Sequence, residues 1–242
     1  MQNKRILILG GTGLARQAAD ALVDLGHDVT TSLAGVTHSP HLGKGEVITG
    51  GFGGVEGLHA YLAMARFDLV VDATHAFAAQ MATHAVVACQ AEKVELVRLE
   101  AAAWEKREGD LWQEVVTIAN AVEALPPQAK VVVTVGRKQA GAFLERADLS
   151  GVIRMIEAPP MPIPNPWHLI LERPPCSLES EIDLLRATGA DYLVSKNSGG
   201  PRPAKLDAAA TLGIPVIMIK RPTKPAADTV NTVAELLALV RA

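Results

Sequence analysis

The sequence predicts an α/β protein built from two similar lobes with parallel sheets. Three observations carry that prediction. Strand-like and helix-like stretches alternate almost throughout, the pattern of βαβ units. The apolar runs draw on Val, Leu, Ile and Ala, with aromatics at only 4%, as expected of strands covered on both faces. A glycine-rich turn also joins the first strand run to the first helical run.

Taken in order, residues 5–9 are a buried-strand run. Residues 13–25 show helical spacing through Leu14, Ala18, Ala21, Leu22 and Leu25, closed by Gly26. Val29 to Leu33 is a second strand, 47–49 a short third, and 56–65 a helix. Asp68 to Asp72 is the fourth strand, 77–91 a helix, and 94–99 the fifth strand. A charged break at 105–110 precedes a strand at 112–118, and Pro126-Pro127 precedes the run Val131 to Val135. Further strands are expected at 152–156, 168–172, 191–195 and 215–219, with helices near 139–146, 178–188, 204–212 and 230–241. The proline-dense stretch 158–166 reads as an extended loop. The like element order of the two halves predicts two similar lobes with a cleft between them, and ligands at the carboxyl ends of the strands.

Charge narrows the partners. The formal net charge of −3 argues against a general nucleic-acid binder. Residues 1–119 hold 9 Lys and Arg against 14 Asp and Glu, whereas 120–242 hold 14 against 12. Within 193–225, Lys196, Arg202, Lys205, Lys220, Arg221 and Lys224 are opposed in sequence only by Asp207. That excess suits an acidic small molecule, and a solvated basic face is the alternative. The apolar run Ile6–Leu9 stops at Gly10-Gly11, too short for a secretion signal or a membrane span. The expectation is a cytoplasmic protein that engages no membrane. Cys89 and Cys176 have no metal-like spacing and read as reduced thiols.

The first turn reads Gly10-Gly11-Thr12-Gly13-Leu14-Ala15-Arg16. Glycines allow a tight turn and close backbone approach, and free N–H groups at a helix start attract a diphosphate. Arg16 stands where the strict fingerprint has its third glycine, and such turns also occur without a ligand. The second strand ends Thr30-Thr31-Ser32-Leu33-Ala34-Gly35, with no carboxylate for ribose hydroxyls. This favours NADP over NAD, with Arg16 near enough in sequence to pair with a 2′-phosphate. An ordinary strand end, silent about cofactor, is the other reading.

Other strand ends add candidates. Gly50-Gly51-Phe52-Gly53-Gly54 implies close approach to a ligand or another segment, or a flexible loop. In Asp72-Ala73-Thr74-His75, small residues would let a nicotinamide ribose lie against the backbone. His75 could donate a proton or bind a carboxylate, although a lone His is more often structural. Val135-Gly136-Arg137-Lys138 and Lys196-Asn197-Ser198-Gly199-Gly200 set basic side chains beside glycines, and Lys205 and Arg221 follow. Tyr192 and Lys196 have short-chain-dehydrogenase spacing but lie on a strand run, where they would be roughly 13 Å apart. His38 and His41 have no third ligand nearby, so no metal site is expected.

Together, GGTGLAR, SLAG, GGFGGVEGL, DATHAFA, TVGRK, YLVSKNSGG, AKLDAAATLGIPV and IKRP resemble the precorrin-6A reductase family, in the same order. The resemblance implies two Rossmann-like domains with their final strands exchanged between sheets. It implies an NADPH-binding domain over 1–119 and a tetrapyrrole-binding domain over 120–242. The activity implied is NADPH-dependent reduction of precorrin-6A to precorrin-6B in cobalamin biosynthesis, with hydride to ring carbon 19 and a proton to carbon 18. On that footing Gly10, Gly11, Thr12, Gly13, Arg16, Ser32, Leu33, Ala34, Gly51, Gly53, Asp72, Ala73 and Thr74 would line the coenzyme. His75 would be catalytic. Arg137, Lys138, Lys196, Asn197, Ser198, Gly199, Lys205 and Arg221 would hold the anionic tetrapyrrole, and the product could pass to the next pathway enzyme. Ala76, Ala101-Ala102 and Val36 depart from the family pattern, which has Pro, Arg-Pro and Arg there. A cobalt-containing substrate and a non-catalytic NADP-sensing module are the competing readings.

Overall fold

The computed structural model of the chain describes residues 3–33, 42–159 and 161–241. The candidate Ala34, together with Val36, His38 and His41, lies outside the described residues. The chain divides into two compact units, Met1–Ala102 with Pro222–Ala242, and Ala103–Arg221.

In the first unit, β1 (Arg5–Leu9), β2 (Asp28–Leu33), β3 (Glu46–Thr49), β4 (Leu69–Asp72), β5 (Glu95–Leu99) and β12 (Asp228–Val230) form one sheet. Its order is β3-β2-β1-β4-β5-β12 and every pairing is parallel. Alternation sorts the side chains. Ile6 and Ile8 face helices α1 (Gly13–Asp24) and α8 (Val233–Arg241), while Leu7 and Leu9 face α2 (Val55–Ala65) and α3 (Ala79–Glu92). Both faces are therefore apolar, which explains the unbroken hydrophobic runs.

The second unit repeats the plan. Its strands are β6 (Trp112–Val115), β7 (Lys130–Thr134), β8 (Ser150–Met155), β9 (Trp167–Leu171), β10 (Tyr192–Lys196) and β11 (Val216–Ile219). They order as β9-β8-β7-β10-β11-β6, again all parallel. Helices α4 (Ile118–Glu123), α5 (Gly141–Leu144), α6 (Leu178–Thr188) and α7 (Ala204–Leu212) complete it. Leu185, Leu206, Ala208 and Ala209 pack on Val132, Leu193 and Met218.

Both sheets thus follow the 3-2-1-4-5-6 order of dinucleotide-binding folds, and the exchange of final strands is present. The chain makes five strands of the first sheet, crosses to lay down β6 at the edge of the second, and returns to supply β12. A single cut at 119/120 does not describe these units, because β6 already belongs to the second and the chain end belongs to the first. Three elements differ from the sequence reading, the first being the expected helix 139–146, which shortens to Gly141–Leu144. The expected strand 112–118 ends at Val115, and α4 follows, its first turn capped by Thr117 accepting the Asn120 N–H. The expected helix 230–241 starts at Val233, after the three-residue strand β12, which is too short to show any periodicity.

Candidate active site

In each sheet the strand order reverses direction at one point, between β1 and β4 and between β7 and β10. Diverging crossovers leave a crevice at the carboxyl ends of such a strand pair. The candidate residues collect at these two places.

At the first, Gly10 has φ +120°, and a Cβ there would lie 2.7 Å from the Ala73 carbonyl oxygen and 2.8 Å from the Thr74 Cα. Only glycine lets the turn pass so close to the end of β4. The Thr12 hydroxyl donates to Ala73 O at 2.9 Å and accepts the Ala15 N–H at 3.1 Å, so one side chain caps α1 and ties it to β4. The end of β2 holds both glycine turns, with Gly10 N–H on Ser32 O and Gly50 N–H on Leu33 O. A small pocket opens here between Gly10, Gly11, Thr12, Arg16, Thr31, Leu33, Leu42, Gly43 and Val47. The Thr31 hydroxyl is buried and meets no hydrogen-bond partner among the described residues. Gly13 is exposed, and a Cβ there would meet nothing within 4 Å. Backbone donors, open space above a helix start, an unmet hydroxyl and an exposed Arg16 fit a phosphorylated dinucleotide.

The remaining first-unit candidates separate by role. Gly51 and Gly53 are exposed beside this turn. Asp72 is buried, its Oδ2 paired with Arg98 at 3.2 Å and its Oδ1 accepting the Thr74 N–H and hydroxyl. It shapes the loop from below. His75 is exposed, and its Nδ1 accepts the Phe77 N–H at 3.2 Å. A neutral imidazole that accepts at Nδ1 has its proton on Nε2, the tautomer in which it could serve as a donor. The glycine that follows the cluster inside α2 serves packing. A Cβ on Gly57 would lie 1.5 Å from the Phe52 carbonyl oxygen, and the Phe52 ring meets the Tyr61 ring at 5.2 Å, tilted by 40°.

At the second crevice, Lys196 ends β10 and its Nζ donates to Gln139 Oε1 at 3.0 Å. Lys205, in the first turn of α7, donates to the Thr134 hydroxyl at 2.8 Å and lies 5.9 Å from the centre of the Trp104 ring. Burial pushes the Lys196 amine down to about 8. Burial, then the Arg154 charge, does the same for Lys205, with Lys196 adding to the shift and Glu181 opposing it. The strand-end loop is laced on two sides. Asn197 Oδ1 accepts the Trp104 N–H, its Nδ2 donates to Trp104 O, and the Trp104 indole donates to Gly200 O. The Arg221 guanidinium donates to the carbonyls of Asn197 and Ser198. The side chain of Asn197 is spent on Trp104, so it holds the loop, while the glycines at 199 and 200 take positive φ. Arg137 pairs with Glu157 at 3.7 Å, and Lys138 is exposed.

The basic excess read from 193–225 shrinks on folding. Arg202 is paired with Asp110 and Asp207, Lys220 with Glu114, and Lys224 with Glu100. Those acids are distant in sequence, except Asp207, so counting within the segment overstated the free charge. Lys196, Lys205 and Arg221 lie at this crevice, held by Gln139, Thr134 and the carbonyls of Asn197 and Ser198. Sequence reasoning missed Trp104, Thr134, Gln139 and Arg98, whose partners lie far along the chain. A larger cavity of about 500 Å³, lined by Cys89, Lys93, Val94, Leu96 and Asp228, lies at the start of β5 and β12. It is at the amino edge, and no candidate residue lines it.

A model of the family described as precorrin-6x reductase CbiJ/CobK matches residues 5–241. The chain belongs to the precorrin-6x reductase family. Within that family, the precorrin-6A reductase of Rhodococcus erythropolis is 43% identical over 240 residues, covering 98% of this chain and 97% of the relative. A solved structure of CobK precorrin-6A reductase superimposes with a TM-score of 0.91 at 38% identity, covering 98% of this chain and 96% of that one. The cobalt-precorrin-6A reductase of Methanothermobacter thermautotrophicus is 28% identical, covering 90% of this chain and 76% of the relative. As a member of the precorrin-6x reductases the chain is an oxidoreductase acting on a CH–CH group. No helix among the described residues is long and apolar enough to cross a membrane.

Proposed function

We propose that the chain reduces precorrin-6A to precorrin-6B with NADPH, in the cytoplasm, as a step of cobalamin biosynthesis. The observation that carries the coenzyme choice is the pocket beside the glycine turn. Among the described residues it is lined by Arg16 and by Thr31, whose hydroxyl meets no partner there, and by no carboxylate. An acidic side chain there would repel a 2′-phosphate, whereas a guanidinium and hydroxyls favour it. Gly10, Gly11, Thr12 and Gly13 would hold the diphosphate against α1, with Ser32, Leu33, Ala34, Gly51 and Gly53 around it. Ala73 and Thr74 would back the nicotinamide side.

A bound nicotinamide supplies the hydride, which in this reading goes to ring carbon 19, with a proton to carbon 18. The chain's own residues bind, orient and deliver protons. Lys196, Lys205, Arg221, Arg137 and Lys138 would take the carboxylates of the tetrapyrrole, supported by the loop of Asn197, Ser198 and Gly199. Lys205 supports this most directly, because its hydrogen bond goes to a neutral hydroxyl and leaves its charge for a ligand. Fixing a polyacid at several points removes its freedom before reaction, which is where most of the rate advantage would arise. His75, with a proton on Nε2, would stand beside the reacting ring.

The test is to supply purified protein with NADPH or NADH and precorrin-6A. Expected are substrate-dependent NADPH oxidation, a product heavier by two hydrogens, and a preference for NADPH of about tenfold or more. No oxidation, or equal use of NADH, sinks the respective half of the proposal. The metal-free substrate is favoured over the cobalt form because identity is higher to the metal-free reductase, and parallel assays of the two forms decide that point.

A further inference from the structure

We propose that Arg98 is a positioning residue for coenzyme use, setting the loop after β4 through Asp72 without touching the ligand itself. This rests on the NADPH reading of the first crevice.

Arg98 is the penultimate residue of β5, only 6% exposed, and stands in register with Asp72 on β4 and Thr229 on β12. Its Nε donates to Asp72 Oδ2 at 3.2 Å, and one Nη donates to the Pro225 carbonyl at 2.9 Å. The other carboxylate oxygen of Asp72 takes the Thr74 hydroxyl at 2.6 Å and the Thr74 N–H at 3.2 Å. Thr74 in turn has its Cα only 2.8 Å from where a Cβ on Gly10 would be. One continuous set of contacts therefore runs from the returning segment at Pro225, through Arg98 and Asp72, to the wall of the glycine turn. The Lys224–Glu100 ion pair fixes the same returning segment one residue earlier.

Stability alone explains this poorly. The second Nη of Arg98 is buried and meets no hydrogen-bond partner among the described residues. A buried ion pair with an unmet donor gains little over well-packed apolar residues of similar volume. An aliphatic pair would suit a strand covered on both faces at least as well. What only the ion pair provides is a fixed angle for the Asp72 carboxylate, and hence a fixed place for Thr74 and the residues that follow it.

The experiment compares wild-type protein, Arg98→Lys, Arg98→Met and the double variant Arg98→Met/Asp72→Asn. Thermal unfolding, NADPH titration and steady-state KM and kcat are measured on each. The double variant, which leaves no buried unpaired charge, is expected to unfold near the wild-type midpoint. Its NADPH affinity is expected to fall about tenfold, with KM for the tetrapyrrole little changed, and Arg98→Lys to be intermediate. A double variant that folds and binds NADPH like wild type overturns the proposal. If neither Met variant folds, Arg98→Lys decides, and wild-type NADPH affinity there also overturns it. Wild-type protein that fails to bind NADPH removes the underlying reading, and this inference with it.

Discussion

Glycines with the same letter in the sequence do different work, and substitution separates them. At Gly10 the Ala73 and Thr74 backbone fills the space a Cβ needs, so Gly10→Ala should cost stability as well as coenzyme affinity. At Gly13 the space is open, so Gly13→Ala should leave the unfolding midpoint unchanged and weaken NADPH binding; unchanged binding would remove Gly13 from the site. The two lysines of the second crevice give a pH prediction. Their charged forms attract carboxylates, and with amines lowered to about 8 that attraction is full below this pH and fades as pH rises through it. KM for the tetrapyrrole should therefore rise about tenfold per titrating lysine between about pH 7 and pH 9, and Lys205→Met should flatten the profile. The sign for folding is opposite. The unfolded chain keeps these protons up to the ordinary lysine range, so stability gains as pH climbs from about 8 toward that range. Lys196 was legible because it ends a strand run beside glycines, where a turn and a charge can be read locally, and Lys205 because it opens the helix that follows. Trp104, Gln139 and Arg98 were not, since each matters through a partner from another strand end.

Among the elements, α2 makes the sharpest case. Alanine normally strengthens a helix relative to glycine by about 1 kcal/mol, yet a Cβ on Gly57 would collide with the Phe52 carbonyl at 1.5 Å. Gly57→Ala should therefore destabilise by about 1–3 kcal/mol in denaturant unfolding, and a stabilised variant would refute the close approach. The longer elements were readable because strands buried on both faces give unbroken apolar runs and helices such as α6 carry their own caps, here Ser177 and Gly189. The failures were short elements. The helix α4 has six residues, under two helical turns, and β12 has three, so neither is long enough for a pattern to repeat, and tertiary pairing decides them. The strand assignment of Tyr192 and Lys196 held, since both lie on β10.

On the scale of the whole molecule, two similar lobes could be read from element order, but the boundary could not. Nothing local marks residues 222–242 as belonging with the first 102. Their contribution is a packing one: Leu236 is fully buried against α1 and β1. Leu236→Ala should cost about 2–5 kcal/mol by chemical denaturation, and a negligible change would mean that α8 is dispensable to the first unit. The same route of the chain also orders events during synthesis. The first sheet begins to form as soon as its five early strands emerge, yet its outer edge at β5 waits for residues made more than a hundred codons later. Until they arrive, that edge offers bare backbone donors and acceptors to any neighbouring nascent chain. A premature stop late in the reading frame thus wounds the lobe that was translated earliest.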